Sequence, residues 1–263
     1  MSATPKLVRA WRLCRLVLHL VWGVLLAALW LPRLHVQSQR ELVRRWSVGV
    51  LRILHVTPQI SGNVPAGNDL PVMLVANHIS WLDIWSINSV CPVRFVSKSE
   101  VRDWPVIGWL AVRTRVIFIE RARRHDTARV SGMAAKALGE GDAICMFPEG
   151  TTSDGTRVLP FRSSLLQAPI EAGVNVLPVA IRYPGTNGGV NTGVAYYADI
   201  TLWQSLCSIL AQRQITIELH FLPVVATQGL DRRQLTHCCR EAINGQLHPA
   251  VRGALGKHAG LRA

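Results

Sequence analysis

The sequence predicts an α/β domain with a mixed, largely parallel sheet flanked by helices, preceded by an N-terminal two-helix hairpin. Of the 263 residues, 49% are hydrophobic and 17% are charged, which is enough apolar material for a sizeable core. After residue 70, short apolar runs of strand length alternate with segments of helix length, whereas the first 60 residues combine apolar runs with arginine and tryptophan. This composition excludes an intrinsically disordered chain, a collagen and a small disulfide-stapled protein.

Most of the net positive charge lies in the first 60 residues. The chain has 29 Lys and Arg against 16 Asp and Glu, a formal net charge of +13, with a mean hydropathy of +0.22. Residues 1–60 contain nine of these basic residues and a single acid, Glu41, and so account for +8; they also hold four of the nine tryptophans. Arginine and tryptophan beside apolar runs are typical of a segment at a bilayer interface. The sequence has no nucleic-acid-binding motif, so the expected partner is a membrane lipid surface and not a nucleic acid.

Two helical patterns make up the predicted hairpin, residues 1–60. The first is a sixteen-residue apolar run, Leu16–Leu31, closed by Pro32 and shorter than the roughly 20 residues that a straight membrane span needs. The second, Glu41–His55, has the periodicity of an amphipathic helix. Arginines flank the apolar run on both sides and no cleavage pattern follows it, which argues against a signal peptide. We expect the pair to lie in one leaflet; a single membrane-spanning helix is the alternative.

The predicted α/β domain covers residues 61–248, and residues 249–263 are expected to form a basic, loose tail. A Gly-, Asn- and Pro-rich stretch, residues 62–69, separates it from the hairpin. Apolar runs without polar alternation are typical of strands buried on both faces, and the helical segments between them predict crossovers. The predicted strands are Val72–Ala76, Arg115–Ile119, Ala143–Phe147, Val176–Ile181 and Ile215–Phe221, and the predicted helices are Leu82–Val90, Thr127–Leu138, Ser163–Ala172 and one starting at Asp231.

The six cysteines show no C-x-x-C pair and no spacing typical of a zinc site. We interpret them as thiols of a reducing compartment and expect no metal.

The loop after the first predicted strand carries a candidate acid–base pair. In NHISWLD, residues 77–83, His78 and Asp83 are separated by a turn into a helix, so the carboxylate can fold back onto one imidazole nitrogen. That contact fixes the tautomer and leaves the other nitrogen free to act as a general base. Taken alone, the spacing fits equally well a surface histidine beside a helix-capping aspartate.

Two further loops carry candidate binding residues. The strand RVIFIER ends at Arg121, where an anion could be held. In FPEGTTSDG, residues 147–155, a Pro and a Gly flank Glu149 and fix a turn that exposes main-chain N–H groups beside a carboxylate. Each loop alone is also compatible with a plain solvated turn.

The order and spacing of these segments resemble the glycerolipid acyltransferase family, typified by bacterial 1-acylglycerol-3-phosphate acyltransferase. N-H-x4-D is followed by F-I-x-R, by F-P-E-G-T and by V-L-P-V-A-I at Val176–Ile181, and FVSKSEVRDWPVIGWL resembles the family's segment after the first motif. The resemblance covers roughly residues 65–225. Its joint pattern is specific, although each piece is not.

The resemblance implies acyl transfer without a covalent enzyme intermediate. Carried over, His78 removes the proton from an acceptor hydroxyl that attacks an acyl thioester, and Asp83 orients His78. The absence of a G-x-S-x-G motif is consistent with this mechanism. Arg121, Glu149 and Gly150 are then expected to bind the polar head of the acceptor.

Candidates for stabilising the oxyanion are the main-chain N–H groups around Gly150 and Thr151, or Lys98. The implied co-substrate is acyl-CoA or acyl-carrier protein, with no cofactor. The implied location is the cytoplasmic face of the inner membrane.

Two departures from the family pattern bear on the acceptor. Arg115 stands where the second motif usually begins with Gly, and Thr152 stands where the third motif commonly has Arg or Ser. The expected acceptor is 1-acylglycerol-3-phosphate, with another lysolipid such as lyso-ornithine lipid as the alternative. Two other classes remain at this point: a non-catalytic membrane-binding module, and a hydrolase, for which H-x4-D supplies only two metal ligands.

Overall fold

The computed structural model of the chain describes residues 4–65, 71–120 and 124–248. It has a seven-stranded sheet between two layers of helices. The strands are β1 (Val56–Gly62), β2 (Met73–Ala76), β3 (Arg94–Lys98), β4 (Ile117–Ile119), β5 (Ile144–Met146), β6 (Val176–Arg182) and β7 (Ile215–Phe221). The helices are α1 (Lys6–Leu29), α2 (Val36–Leu54), α3 (Leu82–Val90), α4 (Ile107–Arg113), α5 (Arg124–Gly139), α6 (Gln167–Ala172), α7 (Leu202–Ala211) and α8 (Arg232–Leu247).

The sheet is mixed and largely parallel, which confirms the predicted fold class. Its strand order is β1-β7-β6-β2-β5-β3-β4, and β6 and β7 form the antiparallel pair. Strands β6, β2, β5, β3 and β4 therefore all run in one direction. Because the carboxyl ends of parallel strands meet at one edge, the loops after β2, β5, β3 and β4 lie along the same edge of the sheet.

Two apolar clusters hold the layers together. On one face, buried residues of α2, α3 and α7 pack against β2, β6 and β7. On the other face, α5, α6 and α8 pack against the alternate side chains of the central strands. The central strands β2 and β5 are buried along their whole length, as expected for strands covered on both sides.

Helices α1 and α2 contact each other around one aromatic pair. The His19 and Trp46 rings stack at 5.0 Å, Trp46 Nε1 donates to the His19 carbonyl at 3.1 Å, and His19 Nε2 lies 2.9 Å from the Trp46 carbonyl oxygen. Close packing here depends on two glycines, because an added Cβ at Gly23 would lie 2.5 Å from Trp46 Nε1 and one at Gly49 would lie 2.4 Å from His19 Cε1.

Helix α1 is longer than the apolar run that predicts it. Its 24 residues correspond to a length of about 36 Å at about 1.5 Å per residue. In the described part of the chain, Lys6–Arg33 is the one helical stretch long and apolar enough to cross a membrane by length and composition. The helix nevertheless contacts the α/β domain along its course: buried Arg12 donates to the carbonyls of Gln212 and Arg213, and α1 also contacts α4.

Four elements, β1, β3, α4 and α7, are missing from the sequence-based prediction. The sequence-based prediction grouped residues 56–60 with the hairpin, but they belong to β1, an edge strand that pairs with β7. Most residues of β1 are exposed. Its polar TPQISG sequence lacks the apolar run of a central strand, and Pro58 is tolerated because the strand lies at an edge. Strand β3 and helices α4 and α7 were also absent from the prediction. Helix α7 begins with a capping box formed by Thr201 and Gln204.

Candidate active site

The site begins where β2 ends. Asn77, the first residue after the strand, is buried and ties the loop to β6 through both of its amide atoms. Its Nδ2 donates to the Ile181 carbonyl at 2.9 Å, and its Oδ1 accepts from the Ile181 N–H at 2.7 Å. The position of the next residue, His78, is therefore fixed relative to two strands of the sheet.

His78 and Asp83 face each other across the start of α3. His78 Nδ1 lies 2.7 Å from Asp83 Oδ2, and this same oxygen accepts the main-chain N–H groups of Ile79 at 2.8 Å and Ser80 at 3.0 Å. Asp83 is fully buried in the first turn of the helix, where a carboxylate is favoured by the exposed N–H groups and the helix dipole. With Nδ1 protonated and bound to the carboxylate, Nε2 carries the lone pair.

Tyr183 completes the environment of Asp83. Its hydroxyl donates to Asp83 Oδ1 at 2.6 Å from the residue that follows β6. Burial and the neighbouring Asp83 charge raise the pKa of Tyr183 well above its ordinary value, so the hydroxyl remains a donor. Both oxygens of the buried carboxylate are thus hydrogen-bonded, which fixes its orientation toward His78.

The imidazole ring of His78 rests on an aromatic surface. It stacks on Phe147 with a centroid distance of 3.8 Å and an interplanar angle of 8°, and Phe147 in turn stacks on Phe95 at 5.8 Å. The His78 side chain is 17% exposed, and its Nε2 has no hydrogen-bond partner among the described residues. The ring is therefore held in one plane while it keeps an opening toward solvent.

Glu149 fixes the backbone of His78 from the neighbouring β5 loop. Its Oε1 accepts the His78 N–H at 3.0 Å, and its Oε2 accepts the Leu159 N–H at 3.3 Å. The side chain is buried, and this burial raises the pKa of Glu149 to about 7. Ser153 also fixes the His78 backbone, because its N–H donates to the His78 carbonyl at 2.8 Å. Glu149 therefore positions the loop around His78.

The turn after Glu149 presents main-chain groups near this loop. Gly150 has a φ of +74°, a conformation that favours glycine, and its N–H donates to the Phe147 carbonyl at 3.0 Å. Thr151 is exposed, and its N–H makes no hydrogen bond within the part of the chain that the structure describes. The adjacent Thr152 hydroxyl donates to the Tyr196 carbonyl.

Of the two predicted cationic residues, the structure describes Lys98, and Lys98 is not part of this contact network. Lys98 is exposed at the carboxyl end of β3, which β5 separates from β2. Arg121 lies outside the described residues, two positions beyond the end of β4. Among the described residues, no group of three or more His, Cys, Asp and Glu side chains is placed to hold a metal ion.

Comparisons with known proteins identify the family to which the chain belongs. The Acyltransferase family model matches residues 55–182. A lyso-ornithine lipid O-acyltransferase from Brucella abortus (strain 2308) is 41% identical over 196 residues, which cover 70% of this chain and 73% of that protein. A 1-acyl-sn-glycerol-3-phosphate acyltransferase from Neisseria gonorrhoeae is 36% identical over 208 residues, which cover 79% of this chain and 81% of that protein.

The chain belongs to the glycerolipid acyltransferase family. A crystal structure of the 1-acyl-sn-glycerophosphate (LPA) acyltransferase PlsC from Thermotoga maritima has the same fold, with a TM-score of 0.64 at 21% identity over 91% of this chain and 97% of that one. Family membership decides the class that the sequence left open: the protein is an O-acyltransferase of lipid metabolism and not a non-catalytic membrane-binding module. Its lipid-acting relatives and apolar α1 indicate that this acyltransferase associates with a membrane.

Three residues of the candidate active site are missing from the sequence-based prediction. Tyr183 follows a predicted strand but carries no motif of its own, and Phe147 looks like an ordinary strand residue. Arg240 of α8 donates to the carbonyls of Val158 and Leu159, beside the Glu149 carboxylate. The one available signal was that Tyr183 is a hydrogen-bonding side chain shortly after the predicted apolar strand Val176–Ile181.

Proposed function

We propose that the protein transfers a fatty acyl group from an acyl thioester to the free hydroxyl of 1-acylglycerol-3-phosphate, forming phosphatidic acid. The observation that carries this proposal is the 2.7 Å contact between His78 Nδ1 and Asp83 Oδ2 at the carboxyl end of β2. A histidine held in this way offers Nε2 as a general base, and the family membership supplies the reaction class. The donor is acyl-CoA or acyl-carrier protein.

The chemical steps balance without a further group. His78 Nε2 takes the proton of the acceptor hydroxyl as its oxygen attacks the thioester carbonyl carbon. The tetrahedral intermediate then collapses, the C–S bond breaks, and the departing thiolate recovers the proton from the imidazolium. Asp83 acts as a positioning residue, because its carboxylate fixes the tautomer and stabilises the positive charge that forms on His78.

The transient oxyanion requires a donor close to the reacting carbon. The Thr151 N–H is our preferred candidate, because the Gly150 N–H already donates to Phe147. Such a donor contributes about 3 kcal/mol to stabilisation of the transition state. Lys98 and Arg121 stay predicted contacts of the charged substrate groups. The Glu149 carboxylate accepts two main-chain N–H groups, which supports a positioning role for Glu149 in place of direct acceptor binding.

Lyso-ornithine lipid is the second candidate acceptor. It is favoured by the 41% identical relative of that name and by Thr152, an uncharged residue whose hydroxyl is occupied by the Tyr196 carbonyl. A phosphate-bearing acceptor instead needs cations at this loop, and Arg157 and Arg162 are exposed there.

The proposal places the enzyme on a membrane surface, specifically the cytoplasmic face of the inner membrane. In it, α1 and α2 form the membrane-associated helices and β1 to α8 form the acyltransferase domain, because residues 56–60 pair with β7 and do not belong to the hairpin. The predicted basic tail, residues 249–263, lies outside the described residues. Contacts between α1 and the domain at both ends of the helix support an arrangement in which α1 lies in one leaflet and does not cross the bilayer alone. A surface location lets the enzyme meet a lysolipid whose chain stays in lipid, which avoids about 0.8 kcal/mol for each exposed methylene.

The decisive test is an acyl-transfer assay with purified full-length protein in detergent micelles. Wild type and His78→Ala are each given 1-acylglycerol-3-phosphate or lyso-ornithine lipid, with acyl-CoA or acyl-carrier protein as donor. We expect transfer to 1-acylglycerol-3-phosphate by wild type and a loss of at least about 10³-fold in His78→Ala. Undiminished transfer by the folded variant would refute the mechanism. Transfer to lyso-ornithine lipid alone would show that this lipid, and not 1-acylglycerol-3-phosphate, is the acceptor.

A further inference from the structure

We propose that α4 and the turn before it, residues 104–113, form a second membrane-contacting surface that docks on a bilayer containing anionic lipid. The inference deepens the membrane association proposed for α1 and rests on it. It assigns a role to a segment of the α/β domain itself. We call these residues the α4 surface.

The α4 surface exposes four large apolar side chains within nine residues. Trp104 is 38% exposed, Val106 45%, Trp109 38% and Val112 46%. Single exposed apolar residues are ordinary on protein surfaces, whereas a contiguous group marks an interaction site. Apart from α1 and its following turn, no other described part of the chain has four such side chains so close in sequence.

The opposite side of α4 faces the protein. Ile107, Leu110 and Ala111 line a cavity of about 210 Å³, together with Leu26 and Ala27 of α1. The helix therefore has one face toward this partly open cavity and another toward the outside.

The α4 surface is continuous with the exposed face of α1. Trp109 and Val112 share a cleft with Leu31 and Pro32 of the turn after α1. Beside this cleft, Trp30 is 55% exposed. A bilayer that receives the apolar face of α1 would therefore also contact α4.

The backbone before α4 is held in a tight conformation. Val106 has a φ of +64°, an unfavourable value for a β-branched residue, and an added Cβ at Gly108 would lie 2.1 Å from the Arg102 carbonyl oxygen. The surrounding structure thus maintains a conformation in which Val106 is exposed.

Charge favours an anionic bilayer over a neutral protein partner. Residues 102–115 contain three arginines and one acid, Asp103. The Arg113 guanidinium lies over the Trp109 ring at 5.0 Å and lines the cleft, whereas Arg115 pairs with Asp142 at 3.0 Å. Tryptophan at headgroup level beside arginine is typical of membrane interfaces, where the guanidinium meets lipid phosphate.

Two matched variants of the full-length protein test the α4 surface. Val112→Asp places a charge on it, and Met133→Asp places the same charge on α5, at a residue of similar exposure (44%) on the opposite face of the sheet. Binding is measured by co-sedimentation with vesicles of phosphatidylethanolamine and phosphatidylglycerol. We expect Val112→Asp to weaken vesicle binding several-fold, because an apolar contact is lost and anionic lipid repels the new carboxylate, and Met133→Asp to have no effect.

Hydrogen exchange of the wild-type protein gives an independent measurement. On adding the same vesicles, amides of residues 104–113 should become protected while those of residues 128–138 in α5 should not. Unchanged exchange in residues 104–113, or unaltered vesicle binding by folded Val112→Asp, would overturn the proposal. The proposal would also be overturned if wild type were a dimer and Val112→Asp dissociated it without loss of vesicle binding. The α4 surface would then bind a second copy of the chain and not a bilayer. Activity in micelles, measured in parallel, tests the proposed reaction separately.

Discussion

The carboxylate of Glu149 accepts the main-chain N–H of His78 at 3.0 Å, so a residue 71 positions further along the chain holds the backbone of the proposed base. Asp83 holds the imidazole of the same histidine at 2.7 Å. Two carboxylates therefore fix His78 at its two ends, one at the main chain and one at the ring. Burial raises the pKa of Glu149 to about 7.

Glu149→Gln should change how stability depends on pH. Glu149 has an ordinary pKa of 4.5 and a folded-state pKa of about 7, so its contribution to folding is fully present below pH 4.5 and is lost as the pH rises through 7. We expect wild type to lose about 3 kcal/mol relative to Glu149→Gln between these values. Urea denaturation of both proteins from pH 4.5 to 8 measures the difference, and a constant difference would contradict the assignment.

Tyr183→Phe should separate orientation of Asp83 from substrate binding. The change removes one donor from the buried carboxylate and should cost about 1–2 kcal/mol of unfolding free energy. We expect kcat to fall several-fold with KM unchanged, because His78 loses orientation while the acceptor contacts stay intact. Steady-state kinetics check this split; a rise in KM at constant kcat would place Tyr183 in substrate binding.

Asp142→Asn should loosen α2 from the sheet. Asp142 accepts hydrogen bonds from Arg40 of α2 at 3.3 Å, from Arg94 of β3 at 2.8 Å and from Arg115 at 3.0 Å. Removal of a fully buried partner costs about 3–5 kcal/mol, and since these arginines are partly exposed we expect about 2 kcal/mol. Chemical denaturation measures the loss, and Glu41→Gln on the exposed face of α2 is the control. If both substitutions lowered the free energy of unfolding by the same small amount, the contacts of Asp142 would have no structural role.

Thr152→Arg should shift acceptor preference toward a phosphate. A guanidinium at this position adds a charge-assisted contact of about 1.4 kcal/mol, equivalent to a tenfold gain. We expect the ratio of kcat/KM for 1-acylglycerol-3-phosphate over lyso-ornithine lipid to rise about tenfold. Thr156→Arg adds the same charge to an exposed residue of the same loop and should leave the ratio unchanged. Equal ratios in the two variants would argue against a headgroup contact at residue 152.

Local patterns predict the central elements of this fold well. Helix α3 and strand β7 have the predicted bounds, because an unbroken apolar segment between turn residues leaves little choice of conformation. Strand β1 was not predicted, because an edge strand needs no apolar run and because its partner β7 lies about 160 residues away in the chain. What stabilises β1 is pairing with a distant segment, which periodicity does not reveal.

The same distinction applies to the site. The five-residue spacing of His78 and Asp83 makes their contact predictable, since it requires only one turn at the start of a helix. The contacts of Asp83 with Tyr183 and of Glu149 with the His78 backbone join residues 100 and 71 positions apart. They depend on β2 lying between β5 and β6, which the linear order of the strands does not specify.

The position of β1 sets a practical limit on shortening the enzyme. A chain starting after residue 60 would leave β7 with an unpaired edge, ready to join strands of other molecules, and would uncover the core residues that Val50, Leu51 and Leu54 of α2 contact. Such a fragment would be prone to aggregate. Soluble variants for crystallisation are better sought by replacing exposed apolar residues of α1 with polar ones than by truncation.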